Sequence, residues 1–403
     1  MSFDIALSGL NAASTELEVI SNNIANNSTA GFKSSRVEFS DVYASTSAND
    51  TGQGVGISSI RQSFVNGNYR DTGKDLDMSI TGQGFFQLQK EGDINYSRNG
   101  TFGLDREGYV INAEEYNLMG YPADDDGFLA PTVGPLRINP NDLAPHQTED
   151  VIFGLNLDST LDILPPFDVN TPDTYNFTTA TTIYDSLGSP SVMTIYFHKD
   201  TPNTWSMYTF VEDQEVSQPG GDELVFNTEG GLQTMNGTTN HILTMPTFTP
   251  TTGGSPMSVD IDATNITQYN GDAGVNQISQ DGFSNGRLKD IRVDEDGTIL
   301  GQYSNGQTQV MGQVALTNFS NIDGLQQVWG TSWRETYASG AALTGAPGSA
   351  SLGNIRAGAL EESNVDITAE LVAMISAQRS FQANAQVITT ADTINQTVIS
   401  MRR

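Results

Sequence analysis

Apolar residues recur at alternating spacings of three and four along the first part of the chain. They occupy Phe3, Ala6, Leu10, Ala13, Leu17, Ile20 and Ile24. This repeat has the 3.5-residue period of a helix that packs along one stripe against other helices. We therefore predict an N-terminal helix whose apolar stripe is an assembly surface.

A similar stripe runs along the C-terminal segment. The predicted assembly residues there are Leu371, Met374, Phe381, Ala385, Ile388, Ile394 and Val398. The stripe shifts register before Ala391, where it resumes. Ser363 or Asn364 is a candidate N-cap for this helix, and Asp366 would then place a carboxylate in the first turn.

The two predicted helices are too long to be covered by one small domain. At about 1.5 Å per residue they would be roughly 30 Å and 55 Å long, so we expect them to pair with each other and with neighbouring copies. Their outer faces carry Ser, Asn, Thr and Gln, which favours burial of both faces. An ordinary intramolecular helix pair that closes one domain is the alternative. A helix lying on a membrane surface would need a basic face, and no Lys or Arg precedes Lys33.

Between the two ends, helical periodicity nearly vanishes. Residues 84–88 and 291–293 have the pattern of strands, and residues 105–108 and 294–297 have the Asp- and Gly-rich pattern of hairpin turns. Composition changes near Asn139 and again near Asp281, which indicates a domain inserted between two halves of another.

The predicted fold class is multidomain α+β, with β-rich middle domains, one inserted into the other. The predicted limits are 1–28 with 361–403 for a terminal helical assembly domain, 29–70 with 350–360 for an extended connecting region, 71–149 with 282–349 for a discontinuous β domain, and 150–281 for an inserted acidic β domain.

Charge changes the picture of possible partners. The chain of 403 residues has 48 acidic and 18 basic residues and a formal net charge of -30. Such a chain repels nucleic acid and anionic lipid. Between Ile138 and Gly286 there are nineteen acidic residues and a single basic one, Lys199. A heavily solvated domain is the plain interpretation, and a metal store or an acidic mimic is the alternative.

The sequence contains few residues that could form a catalytic, phosphate-binding or metal-binding site. The absence of cysteine excludes disulfides and thiolate sites, and His146, His198 and His241 stand in no catalytic motif. Residues 52–56 form a Gly-rich loop that precedes a strand and not a helix, so they are not a phosphate cradle. The acidic stretches 124–127 and 294–297 lack the closing Glu of a calcium loop, and we interpret them as turns. A glycosidic carboxylate pair stays possible, because separation in space is invisible in the sequence.

The first residues lack the basic start and apolar run of a secretory signal, since Asp4, Glu16 and Glu18 are their only charged side chains before Lys33. No stretch is long and apolar enough to span a membrane. If the protein leaves the cell, we expect export without a cleaved signal peptide.

The two terminal segments carry a specific resemblance. Residues 8–12, 20–26 and 31–33, which read SGLNA, ISNNIAN and GFK, resemble the bacterial flagellar rod and hook family. Residues 362–366 and 378–384, ESNVD and QRSFQAN, resemble the C-terminal signature of that family. Inside the chain, residues 183–188, 280–283, 303–307 and 358–361 resemble the hook members of the family. The resemblance thus covers essentially the whole chain.

This resemblance implies a structural subunit of the flagellar hook that polymerises into a curved, flexible tube and acts as a universal joint between rod and filament. It implies terminal helices in a coiled-coil-like inner tube, β domains in outer layers and no cofactor. The implied partners are other copies of the chain, the rod, the hook cap, the hook–filament junction proteins and the type III export apparatus. A distal rod subunit and, less favoured, a secreted β-rich adhesin or enzyme are the alternatives.

Overall fold

The computed structural model describes residues 2–42, 52–124 and 127–401. The chain forms two compact units. The first contains the residues up to 140, 290–302 and those from 308 onwards, and the second contains 141–289 and 303–307.

Both predicted terminal helices are present. Helix α1 spans Ser2–Ala25 and helix α2 spans Ile367–Met401. The predicted cap of α2 is wrong, because Asp366 caps the helix: its Oδ1 accepts the N–H groups of Thr368 and Ala369 at 2.8 and 3.2 Å. Asn364 cannot serve as the cap, since its side chain bonds to other chain segments.

The strands are short and follow the chain in three groups. The first group is β1 Ser35–Asp41, β2 Val55–Gln62, β3 Tyr69–Asp71, β4 Met78–Thr81, β5 Phe85–Lys90, β6 Asp93–Ser97, β7 Gly103–Leu104, β8 Val110–Ile111, β9 Asn117–Pro122 and β10 Gly134–Pro135. The inserted group is β11 Asp150–Asp158, β12 Phe177–Tyr184, β13 Pro190–Thr201, β14 Thr204–Val211, β15 Gln214–Glu215, β16 Asp222–Phe226, β17 Leu232–Met235, β18 Ile242–Thr244, β19 Asp260–Tyr269 and β20 Gly274–Gln280. The last group is β21 Leu288–Val293, β22 Thr298–Tyr303, β23 Thr308–Val314, β24 Leu316–Asn318, β25 Gln326–Gln327, β26 Ser332–Arg334, β27 Leu343–Gly345, β28 Asn354–Ala357 and β29 Ala359–Glu361.

In the first unit, the main sheet has the order β21-β22-β23-β9-β5-β6-β26-β25. Aromatic rings form part of its core: Phe85 lies 5.6 Å from Trp333 and Tyr96 lies 4.8 Å from Phe319, measured between ring centroids. The predicted strands at 84–88 and 291–293 fall in β5 and β21, and the turn 294–297 joins β21 to β22, as predicted. The turn 105–108 joins β7 to β8, also as predicted. The turn prediction for 124–127 includes Asp125 and Asp126, which lie outside the described residues.

The second unit contains two sheets, with orders β18-β19-β11-β20 and β12-β13-β14-β16-β17. Strands β11 and β19 run parallel, and the other pairs are antiparallel. Alternate residues such as Phe153, Phe197 and Trp205 are buried in one shared core, which explains the two-residue periodicity of these strands. The Trp205 Nε1–H donates to Gln268 Oε1 at 3.0 Å.

Strands β1 and β2, in the region 29–70, form an antiparallel hairpin that packs beside α1. The Val55 N–H donates to Ser8 Oγ at 3.2 Å, and the Ser35 N–H donates to Asn23 Oδ1 at 2.9 Å. Residues 8 and 23 are about 22 Å apart along a helix, which is close to the span of a seven-residue strand. The hairpin therefore lies along most of α1 and covers a second face of that helix.

Candidate assembly site

Helices α1 and α2 pack antiparallel along a common seam. Gly9 faces Asn384 so closely that an added Cβ would lie 2.7 Å from Asn384 Nδ2. Asn23 Nδ2 donates to Glu370 Oε1 at 3.0 Å. Between these two contacts each helix advances fourteen residues, which is two heptads. The seam therefore keeps heptad register along both helices.

Most of the predicted assembly residues lie on or beside this seam. In α1, Ala6, Ala13 and Ile20 are buried, and Leu10, Leu17 and Ile24 are half-buried. In α2, Met374, Phe381, Ala385 and Ile388 are half-buried.

Three predicted assembly residues stay exposed: Phe3 by 49%, Leu371 by 47% and Ile394 by 58%. Leu371 is off the seam because the neighbouring Glu370 occupies it. Ile394 is exposed because α2 is longer than α1, so that roughly its last ten residues extend past the start of α1. The side chain of Val398 lies outside the described part of the structure.

A second set of apolar side chains points outward from the helix pair. It comprises Ile5 and Leu7 of α1 and Val372, Ile375, Val387 and Ile399 of α2, which are between 39% and 70% exposed. Sequence reasoning missed these residues because it followed the heptad stripe and took the outer faces as polar. The sequence does contain a signal for them, because several helical turns carry an apolar residue that lies outside the heptad stripe. Together with Phe3, Leu371 and Ile394 they form what we call the outer apolar set.

Charged side chains are buried where both terminal segments join the β strands. Lys33 Nζ lies 2.6 Å from Glu361 Oε1, and Arg98 Nη1 lies 3.5 Å from Glu361 Oε2. The side chains of Lys33 and Glu361 have no exposed surface, and that of Arg98 is 4% exposed. Burial lowers the pKa of Lys33, and the adjacent Glu361 carboxylate opposes this change. Lys33 and Glu361 lie in motifs that resemble the flagellar family, whereas no motif pointed to Arg98.

Asn364 ties three distant segments together beside these charges. Its Oδ1 accepts the Ser34 N–H at 2.7 Å, and its Nδ2 donates to the carbonyl oxygens of Ser63 and Val65 at 2.7 and 3.0 Å. These bonds use the whole amide group, which explains why this side chain does not cap α2.

Interior motifs serve as turns and braces in the second unit. Asp185 Oδ1 accepts the N–H groups of Leu187 and Ser189 at 2.9 and 2.8 Å, which closes the turn at 185–189. Asn305 Nδ2 donates to the Ser284 carbonyl at 2.7 Å. These motif residues therefore have structural roles.

The single cation of the stretch 138–286 is buried. Lys199 is 7% exposed, and its Nζ donates to the carbonyl oxygens of Ser159 and Leu161, both at 2.7 Å. The cation therefore holds a loop of its own unit and is withheld from the surface. Most of the acidic side chains of this stretch face solvent, whereas Asp185 and Asp222 are buried.

The described residues offer little for catalysis or membrane insertion. No three His, Cys, Asp or Glu side chains in residues 2–42, 52–124 and 127–401 are placed to hold a metal ion. Within the same ranges, neither helix has an apolar stretch suited to crossing a bilayer. His146 stacks on Phe283 at 5.6 Å, and His198 Nδ1 lies 2.8 Å from the Thr174 carbonyl oxygen.

Four parts of the chain match known protein families. Residues 3–33 match the flagella basal body rod protein family, and residues 79–154 match the flagellar hook protein FlgE/F/G D1 domain. Residues 156–283 match the flagellar basal body protein FlaE D2 domain, and residues 356–401 match the flagellar basal body rod FlgEFG protein C-terminal family. The matched regions include both helices and the inserted unit.

Full-length relatives bear the same description. The chain is 40% identical to flagellar hook protein FlgE of Salmonella typhimurium and 39% identical to that of Escherichia coli, in each case over 100% of both chains. It is 32% identical to FlgE of Borreliella burgdorferi over 98% of both chains. The crystal structure of Helicobacter pylori flagellar hook protein FlgE2 has the same fold, with a TM-score of 0.56 at 15% identity over 71% of this chain and 99% of that one. The chain belongs to the flagellar hook protein family.

Proposed function

We propose that copies of this chain polymerise into the curved, flexible tube of the flagellar hook, where they transmit torque from rod to filament as a universal joint. A member of the hook protein family is a structural component of the flagellum and not an enzyme. The distal rod subunit is disfavoured, because the full-length identity is to hook proteins and includes the inserted unit.

The outer apolar set carries the proposal. The nine apolar side chains of this set lie on the two paired helices and stay substantially exposed in the single chain, which is unusual for a monomer and typical of an assembly surface. Burying one such side chain completely is worth about 1.5–3 kcal/mol, and here each is already partly covered. Even at half this value, contacts repeated in every copy can offset the cost of association.

We assign two roles to the predicted assembly residues. Those on the seam hold α1 against α2 in one copy, and the exposed ones contact helices of neighbouring copies. In this arrangement the helix pairs form a coiled-coil-like inner tube, with the β-rich units outside it. The heptad register of the seam and the Gly9–Asn384 contact support such close helix packing.

The proposed partners are other copies of the chain, the rod, the hook cap, the hook–filament junction proteins and the type III export apparatus. We propose an extracellular position in the flagellum, reached without cleavage of a signal peptide. The acidic surface supports the absence of nucleic acid and anionic membrane from this set.

Electron microscopy of polymer assembled from purified chain tests the proposal. Curved tubes are the expected result. Straight rods would favour the distal rod alternative, and the absence of any polymer under conditions that assemble a known hook protein would overturn the proposal.

A further inference from the structure

Three buried charges meet where the two terminal segments leave the strands. We call Lys33, Arg98 and Glu361 the junction clasp. Burying charged groups costs several kcal/mol per ion before pairing, and a well-packed apolar cluster of similar volume is often at least as stable. The junction clasp therefore needs a reason other than stability.

The three charges of the clasp also bind backbone groups of two further segments, 65–67 and the one that contains Gly82. Lys33 Nζ donates to the Val65 carbonyl at 3.0 Å, and Glu361 Oε1 accepts the Gly67 N–H at 3.0 Å. Arg98 Nη2 donates to the Gly82 carbonyl at 2.8 Å. Five stretches of chain are thereby held at one point.

The backbone of the same site adds a direct tie between the two terminal segments. The Gly31 N–H donates to the Glu361 carbonyl oxygen at 2.8 Å. Gly31 has a φ of 69°, and an added Cβ would lie 2.6 Å from the Asn99 nitrogen. The chain can take this path only with glycine at this position.

We infer that the junction clasp fixes the direction in which both terminal segments leave the β strands, so that rotation of the helix pair passes to the β-rich unit without slack. Charge-assisted hydrogen bonds to backbone are directional, whereas apolar side chains can slide past one another at small cost. Apolar side chains in place of the three charges would keep the site packed, but they would no longer fix the direction in which the terminal segments leave the strands. The inference rests on the proposed function for its mechanical role but not for its geometry.

The test compares the native chain with the triple variant Lys33→Met, Arg98→Met and Glu361→Leu. Since the chain has no cysteine, Glu18→Cys on α1 and Arg106→Cys in the β7–β8 turn provide two unique, exposed sites for spin labels. Distances between the labels are measured by pulsed electron spin resonance, and thermal unfolding is recorded for each protein.

The native chain should give one narrow distance, and the triple variant should lose it while keeping cooperative unfolding. The matched control is Asp71→Asn with Arg356→Gln, which removes a 2.7 Å ion pair whose side chains are 74% and 48% exposed, and it should keep the narrow distance. A narrow distance in the triple variant, or a broad one in the native chain, would overturn the inference. If the triple variant does not fold, Glu361→Gln replaces it, with the same expected loss and the same overturning result.

The mechanical role is tested in cells that make the triple variant as their hook protein. Tubes should still be visible by electron microscopy, and swimming should be lost or much reduced relative to the Asp71 and Arg356 control. Swimming equal to the control would overturn the coupling role. Failure of the native chain to form tubes would overturn the proposed function instead, and the spin-label result would be unaffected.

Discussion

Gly9 of α1 lies directly against the side chain of Asn384 in α2, at a point where the helices approach too closely for another Cβ. Asn23 and Glu370 form the next polar contact, two heptads along the same seam. These contacts set both the distance between the two helices and the register in which they pair. Small residues in the seam, such as Ala6, Ala13 and Ala377, are buried and allow the same close approach.

Gly9→Leu should separate the two helices. The added side chain would collide with Asn384, and overpacking of this kind typically costs about 1–3 kcal/mol. Circular dichroism of the free chain should show a lower melting temperature for the helical signal. Gly9→Leu combined with Asn384→Ala should recover part of the loss, because the colliding amide is removed. An unchanged melting temperature in the single variant would show that the helices are not closely paired in solution.

Phe381→Asp should disrupt folding of the helix pair, whereas Leu371→Asp should disrupt only polymerisation. Phe381 is half-buried in the seam, so a carboxylate there should disrupt the helix pair of the free chain. Leu371 is 47% exposed, so its variant should keep the helical signal but fail to polymerise. Gln382→Asp, at an exposed position next to Phe381, is the control and should do neither. Normal tubes from Leu371→Asp would show that Leu371 is not part of the assembly surface.

Deletion of residues 151–281 should leave tube formation intact but change the bend. Bending of a rotating curved tube requires outer contacts to slide, and sliding is easy across shallow polar interfaces. The stretch fits this need because its only cation, Lys199, is buried and unavailable for ion pairs between copies. A short linker can rejoin the ends, since Leu143 and Gly286 exchange backbone hydrogen bonds of 2.7 and 3.1 Å.

Electron microscopy of hooks from cells that export this deletion protein gives the measurement. Straight or abnormally curved tubes are expected. Absence of tubes would mean that the insert supplies essential contacts, and normal curvature would mean that it has no part in setting the bend.

Asp222→Asn should stabilise the second unit at neutral pH. Asp222 is fully buried, its Oδ1 accepts from Asn236 at 2.8 Å, and its Oδ2 has no hydrogen-bond partner. Burial raises its pKa above the ordinary 3.8. Asn replaces the buried carboxylate with a neutral amide and so removes the cost of burying a charge whose hydrogen bonds are incomplete. That cost is about 1–3 kcal/mol, which corresponds to a gain of several degrees in melting temperature.

The raised pKa of Asp222 determines how the stability gain of Asp222→Asn should change with pH. The folded chain binds the Asp222 proton more tightly than the unfolded chain, so the native carboxyl contributes no penalty below pH 3.8 and its full penalty above its folded pKa. The advantage of Asp222→Asn should therefore shrink as pH falls from neutrality towards 3.8. Asp162→Asn makes the same change of charge at an exposed position and is the control in these thermal unfolding scans. A gain that is independent of pH would contradict the assignment to ionisation.

The sequence by itself determined the two helices, their heptad stripes and the β-rich middle, because these follow from periodicity within one segment. The strands at 84–88 and 291–293 and the turns at 105–108 and 294–297 were predictable for the same reason. The terminal motifs also identified the family, since their order along the chain is a property of the sequence.

Only the tertiary structure decided which side chains share a site. Asn364 looked like a helix cap, but it bonds to Ser34, Ser63 and Val65, up to about 330 positions away along the chain. Lys199 was visible in the sequence only as the single basic residue of an acidic stretch, and the structure shows that it is buried and donates to loop carbonyl oxygens. Arg98 had no signal at all, because its role depends on Glu361, which reaches it only when both ends of the chain return to the same strands. Such contacts depend on distance in space, which local periodicity does not encode.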